Sequence, residues 1–580
     1  MHNLGWVGAV NGGRMRRIAG GLMALVLATP LAACSPSAAT GTPAAARSAK
    51  DYLVFYADGQ AREALAAVRR AGGSTSATDT KLGYVLAKGD GDAFVEALGT
   101  DQAIVGVSAD RAIGFETAMP AAAPASAPVS GPASGPVSVS SSGSTAFPDA
   151  SAIASNAAAE PLAARQWDMK MIGADRAHGK APGTKKVLVG IIDTGVDGKH
   201  PDIAPNFNRE LSRNFVTDKP KDEEGETLDG PCEVAGCKDP VDADDDGHGT
   251  HVASTIGSPI NGIGIAGVAP DVQLVNIRAG QDSGFFFLKA SLDALTYAAD
   301  IGVDVVNMSY YVDPWLFNCR SNKADSKKQQ LEQRAIITGM QRALDYARKR
   351  NVTLISALGN GATDLGHPKV DSASPGYPRG SEKSRKVDNS CINVPAESKG
   401  VLSVSALGPT GRKAVYSDYG IEQTDLSAPG GDTTDGKGAS PLRSILAAAP
   451  EAALRATGKI DKSGKPKSSE VVRDCSGGGP CSYYQYLDGT SMASPHATGV
   501  AAILISRFGK QGKGGVALAP AKVEKLLFKT ATQKACPSPR KYVYKVFGES
   551  TTHTCEGGKS KNGFYGHGVV DAWKAATVKG

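Results

Sequence analysis

Asp488-Gly489-Thr490-Ser491-Met492-Ala493-Ser494-Pro495-His496-Ala497-Thr498-Gly499 runs without a break into Val500-Ala501-Ala502-Ile503-Leu504-Ile505. Small residues crowd Ser491, and the apolar run of helix formers behind them predicts a buried helix. A serine at the entry of such a helix stands among unpaired backbone N–H groups, at the positive end of the helix dipole, where developing negative charge is favoured. The same spelling also suits simple capping by Thr490 or Ser491, because both residue types are common caps. Partners elsewhere in the chain decide between the two.

Working outward, apolar strand-like runs at 187–192, 272–277, 303–308 and 352–357 alternate with helical patterns at 287–301 and 333–349. That alternation predicts an α/β fold, a doubly wound and mostly parallel sheet with helices on both faces. The first run ends in Ile191-Ile192-Asp193-Thr194-Gly195, which places a carboxylate at the carboxyl end of a buried strand, where open α/β sheets keep their sites. Asp246-Gly247-His248-Gly249-Thr250-His251 is a glycine-rich helix entry led by a histidine. The two histidines lack the glutamate and the i, i+4 spacing of a zinc-binding helix, so zinc is not expected. A serine hydroxyl is a poor nucleophile unless a base takes its proton, and an imidazole titrates in the useful range.

With Ser491 included, the chain order is Asp, His, Ser, and the three motifs together resemble the subtilisin-like serine proteases over about residues 160–580. The resemblance implies that Ser491 is the nucleophile, His248 the general base and acid, and Asp193 the group that fixes the histidine tautomer. It implies further that Asn360, in Ser356-Ala357-Leu358-Gly359-Asn360-Gly361, faces the oxyanion beside the backbone N–H of Ser491. Val305-Val306-Asn307-Met308-Ser309 matches the family's substrate-binding edge, so Ser309, Tyr310, Tyr311 and Gly359 are implied substrate contacts. Where the family usually continues Leu-Gly-Gly, Tyr310-Tyr311-Val312-Asp313-Pro314-Trp315 stands here. Tyr311 and Trp315 either reshape the pocket beside the scissile bond or pack under the insertion that contains Cys319 and residues 323–334. No cofactor is expected for catalysis. The segment 259–265 resembles a family calcium loop, which implies Asp202, Asn261, Ile263 and Ile265 as ligands of a structural calcium ion, although the glutamine that usually helps does not align. The acidic run Asp242, Asp244, Asp245 and Asp246 reads either as a second cation site or as a solvated loop.

Upstream, Arg14, Arg16 and Arg17 precede an apolar stretch, 18–28, too short for a comfortable membrane span and suited to an export signal. Leu31-Ala32-Ala33-Cys34 resembles a bacterial lipobox, which implies lipidation at Cys34 and a membrane association through the lipid alone. The domain reading is a signal at 1–34, a spacer at 35–50, a small α+β unit at 51–115, an Ala/Pro/Ser-rich linker at 116–160 and a large domain at 161–580. Within the small unit, apolar runs at 52–55, 83–87 and 104–107 alternate with helical patterns at 61–71 and 92–98, a split βαβ arrangement. Beside the family resemblance this unit resembles an inhibitory pro-domain, and the linker, which cannot bury a core, would then be cut.

Besides Cys34 there are eight cysteines, enough for four disulfides, which points to an oxidising compartment. Cys232 with Cys237, Cys475 with Cys481, and Cys536 with Cys555 are close enough for local staples, leaving Cys319 for Cys391 among about 105 connectivities. A net charge of +6 over 580 residues, with the lysines scattered, leaves no nucleic-acid footprint. The expectation is a secreted or lipid-anchored, monomeric serine endopeptidase acting on proteins or peptides, with its own pro-domain as intramolecular inhibitor. The rivals are a catalytically silent binding protein on the same scaffold and an esterase, which would more commonly show a Gly-x-Ser-x-Gly elbow.

Overall fold

A computed structural model describes residues 49–111, 160–222, 225–546 and 548–579. The expected export signal, Cys34 and the linker, apart from Glu160, lie outside them.

The small unit has the order β1 (Lys50–Tyr56), α1 (Ala61–Arg70), β2 (Ser74–Asp79), β3 (Tyr84–Gly89), α2 (Gly91–Gly99) and β4 (Ile104–Ala109). Its sheet runs β2-β3-β1-β4, antiparallel throughout. Side chains alternate faces along a strand, and in β1 both faces are buried. Tyr52, Val54 and Tyr56 pack on α1 and α2. Leu53 and Phe55 instead join Leu82 and Tyr84 in a core shared with the large domain. That double burial is why the sequence is apolar without alternation at 52–55. The strand β2, Ser-Thr-Ser-Ala-Thr-Asp, is an exposed edge and gives no hydrophobic signal.

In the large domain we label β5 (Leu188–Ile192), β6 (Arg213–Asn214), α3 (His248–Gly257), β7 (Gln273–Arg278), α4 (Leu288–Ile301), β8 (Val305–Met308), α5 (Lys327–Arg348) and β9 (Thr353–Ala357). Next come β10 (Leu402–Leu407), β11 (Leu426–Pro429), β12 (Ile445–Ala448), β13 (Val471–Asp474), β14 (Ser482–Leu487), α6 (Thr490–Phe508), α7 (Pro520–Thr530), β15 (Lys541–Val546), β16 (Glu549–Thr554) and α8 (Ala572–Thr577). Seven parallel strands form the sheet β11-β10-β9-β8-β5-β7-β6. Helices α3 and α6 pack in the core on one face; α4 and α5 pack in the core on the other. From β5 the chain passes to β6 and β7 on one side and then to β8 on the other, so the strand order reverses at β5, the place where open α/β sheets carry their sites.

Helix α5 starts six residues before the apolar pattern at 333 because Ser326 caps it: the Ser326 side chain accepts from Gln329 N, and the Gln329 side chain accepts from Ser326 N. The small unit rests on this helix. Arg342 donates through Nη1 to the carbonyls of Leu82 and Gly83, both at 3.1 Å, and through Nη2 to the carbonyl of Tyr56 at 3.0 Å and Asp58 Oδ1 at 2.7 Å. Gly106 of β4 lies so close that a Cβ there would stand 2.4 Å from the backbone N of Ala335.

The eight cysteines pair as Cys232–Cys237, Cys319–Cys391, Cys475–Cys481 and Cys536–Cys555. Trp315 proves to be a packing residue. It is fully buried, donates Nε1 to Glu332 Oε2 at 2.9 Å, and carries the Arg385 guanidinium 4.7 Å from its ring centre. Arg385, itself buried, bonds Asp325, Asp371 and the Phe317 carbonyl, so the insertion hangs on this cation. Cys319–Cys391 closes the same region across 72 residues. Replacing both cysteines by serine should remove about 4 kcal/mol of stability by loop-closure entropy, read as a lower urea midpoint with a larger m-value, because the unfolded chain expands. An unchanged midpoint would show that Arg385 and its carboxylates suffice.

Candidate active site

Asp193 follows the last residue of β5 and is fully buried; its backbone carbonyl accepts from Ala279 and Gly280 N–H. His248 opens α3, and its Nδ1 lies 2.7 Å from Asp193 Oδ1, which also accepts from Thr194 N at 2.8 Å. The close approach rests on Gly249, where a Cβ would sit 2.0 Å from the Gly195 carbonyl oxygen.

The acidic run before the histidine divides into separate structural roles. Asp244 accepts from Gly247 N and Thr194 Oγ1 through Oδ1, and from Thr250 N and Oγ1 through Oδ2. Asp246 accepts from His248 N at 3.0 Å, and Thr194 Oγ1 accepts from Gly249 N at 3.1 Å. The first three N–H groups of α3, which have no intrahelical acceptor, are thereby all satisfied. Asp242 pairs with Arg209 and Lys199. The four carboxylates therefore do not form one cation site.

Gly489 caps α6, with Ser491 in the first turn. Asn307 of β8 fixes this helix: its Oδ1 accepts from Ser494 Oγ at 2.7 Å and Thr498 Oγ1 at 3.0 Å, while its Nδ2 donates to Ser309 Oγ at 2.8 Å. Ser309 Oγ in turn donates to the Ser491 carbonyl at 3.0 Å. The Ser491 hydroxyl donates to the Ser309 carbonyl at 3.2 Å. Asn360, at the end of β9 and exposed, accepts through Oδ1 from Thr490 N at 2.9 Å and Thr490 Oγ1 at 2.8 Å. No described residue accepts a hydrogen bond from its Nδ2. Gly359 N donates to Thr490 Oγ1 at 3.1 Å, so Gly359, Asn360 and Ser491 are tied through one threonine.

The implied substrate contacts differ in exposure. Tyr310 is turned inward and stacks on Phe286 with ring centres 4.2 Å apart, whereas Tyr311 is half-buried. The Tyr310 ring is thus part of the core, and only its backbone remains for an extended peptide.

At the implied calcium loop, Asp202 is fully buried; Oδ2 accepts from Ile265 N and Tyr484 OH, both at 3.1 Å, and Oδ1 has no described partner. Asn261 Oδ1 accepts from Ile263 N at 2.9 Å. Glu160, which the sequence reading passed over beside its alanines and proline, accepts from Gly262 N through Oε1 at 3.0 Å and leaves Oε2 buried without a described partner. Burial raises the Asp202 carboxyl well above its ordinary value, with Glu160 adding to the rise. Burial likewise raises Glu160 to about 7. Two buried carboxylates with an oxygen free on each fit an oxygen-preferring dication.

A family profile described as "Subtilase family" matches residues 184–568. The chain is 26% identical over 334 residues to a thermophilic serine proteinase of Bacillus sp. (strain AK1), covering 57% of this chain and 55% of that protein. It is 26% identical over 361 residues to fervidolysin of Fervidobacterium pennivorans, covering 60% of this chain and 39% of that one. The matches thus span about half or less of these two relatives. The crystal structure of the epidermin leader peptide processing serine protease from Staphylococcus aureus shares the fold, with a TM-score of 0.55 at 21% identity, covering 92% of this chain and 98% of that one.

For His248, burial lowers the imidazole pKa, but Asp193, Asp246 and Asp244 together outweigh it and raise it to about 9 from an ordinary 6.5. Nitrogen-15 NMR of histidine-labelled protein should therefore show His248 titrating on the alkaline side of 7, and Asp246→Asn should move it toward lower pH. Titration at or below the ordinary value in the unsubstituted protein would contradict this balance of burial against charge.

Proposed function

The chain belongs to the subtilase family, and from that membership we propose that it is a serine endopeptidase hydrolysing peptide bonds of proteins or peptides through an acyl-enzyme on Ser491. The observation that carries this reading is the His248 imidazole held at 2.7 Å on buried Asp193, on a helix packed against the one that begins with Thr490 and Ser491.

In the proposed mechanism the Ser491 hydroxyl leaves the Ser309 carbonyl and attacks the scissile carbonyl carbon as its proton passes to His248 Nε2. Asp193 keeps Nδ1 protonated and stabilises the imidazolium. The oxyanion is met by Asn360 Nδ2 and the Ser491 backbone N–H at the positive end of α6, donors in place before charge develops. His248 then gives the proton to the leaving amine and the C–N bond breaks. Water, deprotonated by the same imidazole, attacks the acyl-enzyme; the acid is released and Ser491 regains its proton. The backbone just beyond Ser309 would receive substrate as an added strand.

The small unit acts as the inhibitory pro-domain in this proposal. Its last described residue, Arg111, pairs with Glu332 at 2.9 Å, lies over the Phe287 and Tyr377 rings, and accepts at its carbonyl from Lys219. Burial raises the carboxyl of Asp313 to about 8 even though the Phe286 N–H and then the Arg111 charge lower it, so the chain leaves this unit beside the segment that follows the substrate edge. Cleavage of the linker would then release the mature enzyme. The four disulfides support export, with Cys34 as the proposed lipid anchor and a monomer as the working form. Calcium would be held by Asp202, Glu160, Asn261 and the carbonyls of Ile263 and Ile265, stiffening the loop at 259–265. A silent binding protein would have no use for a tied Asn360 and a base with a raised pKa, which favours the enzyme.

Asn360→Ala should lower kcat on a peptide substrate about a hundredfold to a thousandfold with little change in KM, and Ser491→Ala should remove casein hydrolysis. A KM effect without a kcat effect would assign Asn360 to ground-state binding. Because the neutral imidazole is the base, kcat/KM should rise with pH up to about 9. Intact-mass analysis of the purified protein should show that the wild type has lost residues 51–115 while Ser491→Ala retains them. Retention in both would remove self-maturation from the account.

A further inference from the structure

Where the described part of the small unit ends, the Arg111 side chain is seated on the large domain, and four elements converge on it. The stretch before α4 supplies Phe287, the segment after Ser309 supplies Asp313, and α5 supplies Glu332. Tyr377 joins them because Gly376 N–H donates to the Pro314 carbonyl at 2.8 Å. Asp313 locks the first two segments together: its N–H donates to the Phe286 carbonyl at 2.8 Å, and its Oδ2 accepts from Phe286 N at 2.8 Å. The Phe287 and Tyr377 rings are buried and meet edge to face, with centres 5.2 Å apart.

The contacts are of the kinds that recognise a guanidinium. Its carbon lies 5.3 Å from the Tyr377 ring centre and 5.9 Å from that of Phe287, within the reach of cation–π attraction. Nη2 lies 2.9 Å from Glu332 Oε1, and Trp315 holds Glu332 in place by donating Nε1 to Oε2 at 2.9 Å. Both side chains of this ion pair are largely withdrawn from water, at 18% and 12% exposure. A further sign is independent of that pair: Asp313 Oδ1 is buried with no described hydrogen-bond partner, and so is Arg111 Nη1. Burial pushes the Asp313 carboxyl up, and the Phe286 N–H and then the Arg111 charge pull it down. A planar, weakly hydrated guanidinium meets flat ring faces and a carboxylate at once, which an ammonium does less well. With Arg111 gone, two carboxylates and two ring faces stand without this cation, a costly state for buried Asp313.

We propose that Phe287, Asp313, Glu332 and Tyr377 form an arginine-binding subsite of the large domain, filled by Arg111 in the full chain and by an arginine side chain of the substrate once the small unit has left. The position agrees. Asp313 is four residues past Ser309, whose carbonyl accepts from the Ser491 hydroxyl, so the two lie within about 14 Å of each other. A peptide extended along this segment crosses that span in about four residues. Arg111 precedes the linker in the chain, so the corresponding arginine of a substrate stands on the amino side of the scissile bond, several residues from it. This inference rests on the reading of residues 51–115 as a pro-domain that is removed, and it adds a substrate class: proteins or peptides with an arginine at that remove.

Two measurements test the site, one without catalysis and one with it. In full-length Ser491→Ala protein carrying Arg111→Ala, a ligand-observed NMR titration with N-acetyl-arginine amide should show binding that Ser491→Ala with Arg111 in place lacks. Adding Glu332→Gln should weaken that binding roughly tenfold, and N-acetyl-lysine amide should bind less well than the arginine amide. Glu332→Gln keeps an acceptor for Trp315, which guards the fold of the insertion. For the mature enzyme, a single arginine is moved through the third to seventh residues before the scissile bond of a quenched-fluorescence peptide. At one position it should raise kcat/KM roughly tenfold over the alanine peptide, and that ratio should fall towards one in Glu332→Gln. No amide binding to the Arg111→Ala protein, binding indifferent to Glu332→Gln, or an active enzyme without arginine preference at any of these positions would overturn the proposal. If no peptide is cleaved at all, the catalytic reading fails, while the amide titration still decides the site.

Discussion

The Asp193 carboxylate is fully buried, and among the described residues its sole ion-pair partner is His248. An unpaired buried charge is costly enough to unfold its surroundings, so this contact constrains everything near it. Strand β5 must stop where it does, Gly249 must lack a side chain, and α3 must begin at the histidine. Three side chains, Thr194, Asp244 and Asp246, then satisfy the N–H groups that such an abrupt helix start leaves open.

The second fastening is polar as well. Helix α6 is buried on all sides for most of its length, which holds it in the core but does not set its rotation. Asn307 sets it through Ser494 and Thr498, and Asn360 sets its first turn through Thr490. Buried networks of this kind are worth little net stability when satisfied and cost much when one member is lost. Their effect is to specify one orientation, the one that brings the Ser491 carbonyl and hydroxyl against Ser309.

Much of this was legible in the sequence because the signals were local. Buried parallel strands read as unbroken apolar runs, and Asp193, His248, Asn360 and Ser491 each stand in a short stretch rich in glycine or other small residues. What escaped depended on distant partners. Glu160 looks like a lone acid beside a low-complexity segment until the fold brings Gly262 to it. Trp315 could be placed in a pocket or in a core until Arg385, seventy residues on, claimed its face. The role of Asn307 is spelled by Ser494 and Thr498, nearly two hundred residues away. The edge strand β2 and the hairpin β15–β16 are largely solvated and therefore carry weak hydrophobic pattern. The acidic run 242–246 looked uniform, yet Asp244 and Asp246 cap a helix while Asp242 pairs with surface cations, a division that no count of charges reveals.

The measurement that bears most directly on the central claim is covalent: reaction of the mature protein with a fluorophosphonate, followed by peptide mapping by mass. A nucleophilic serine polarised by His248 and facing an oxyanion site should carry the single adduct on the peptide containing Ser491, and labelling should fall as pH drops below the His248 pKa. No adduct, or an adduct on another serine with Ser491 unmodified, would contradict the assignment of Ser491 and with it the catalytic reading of the fold.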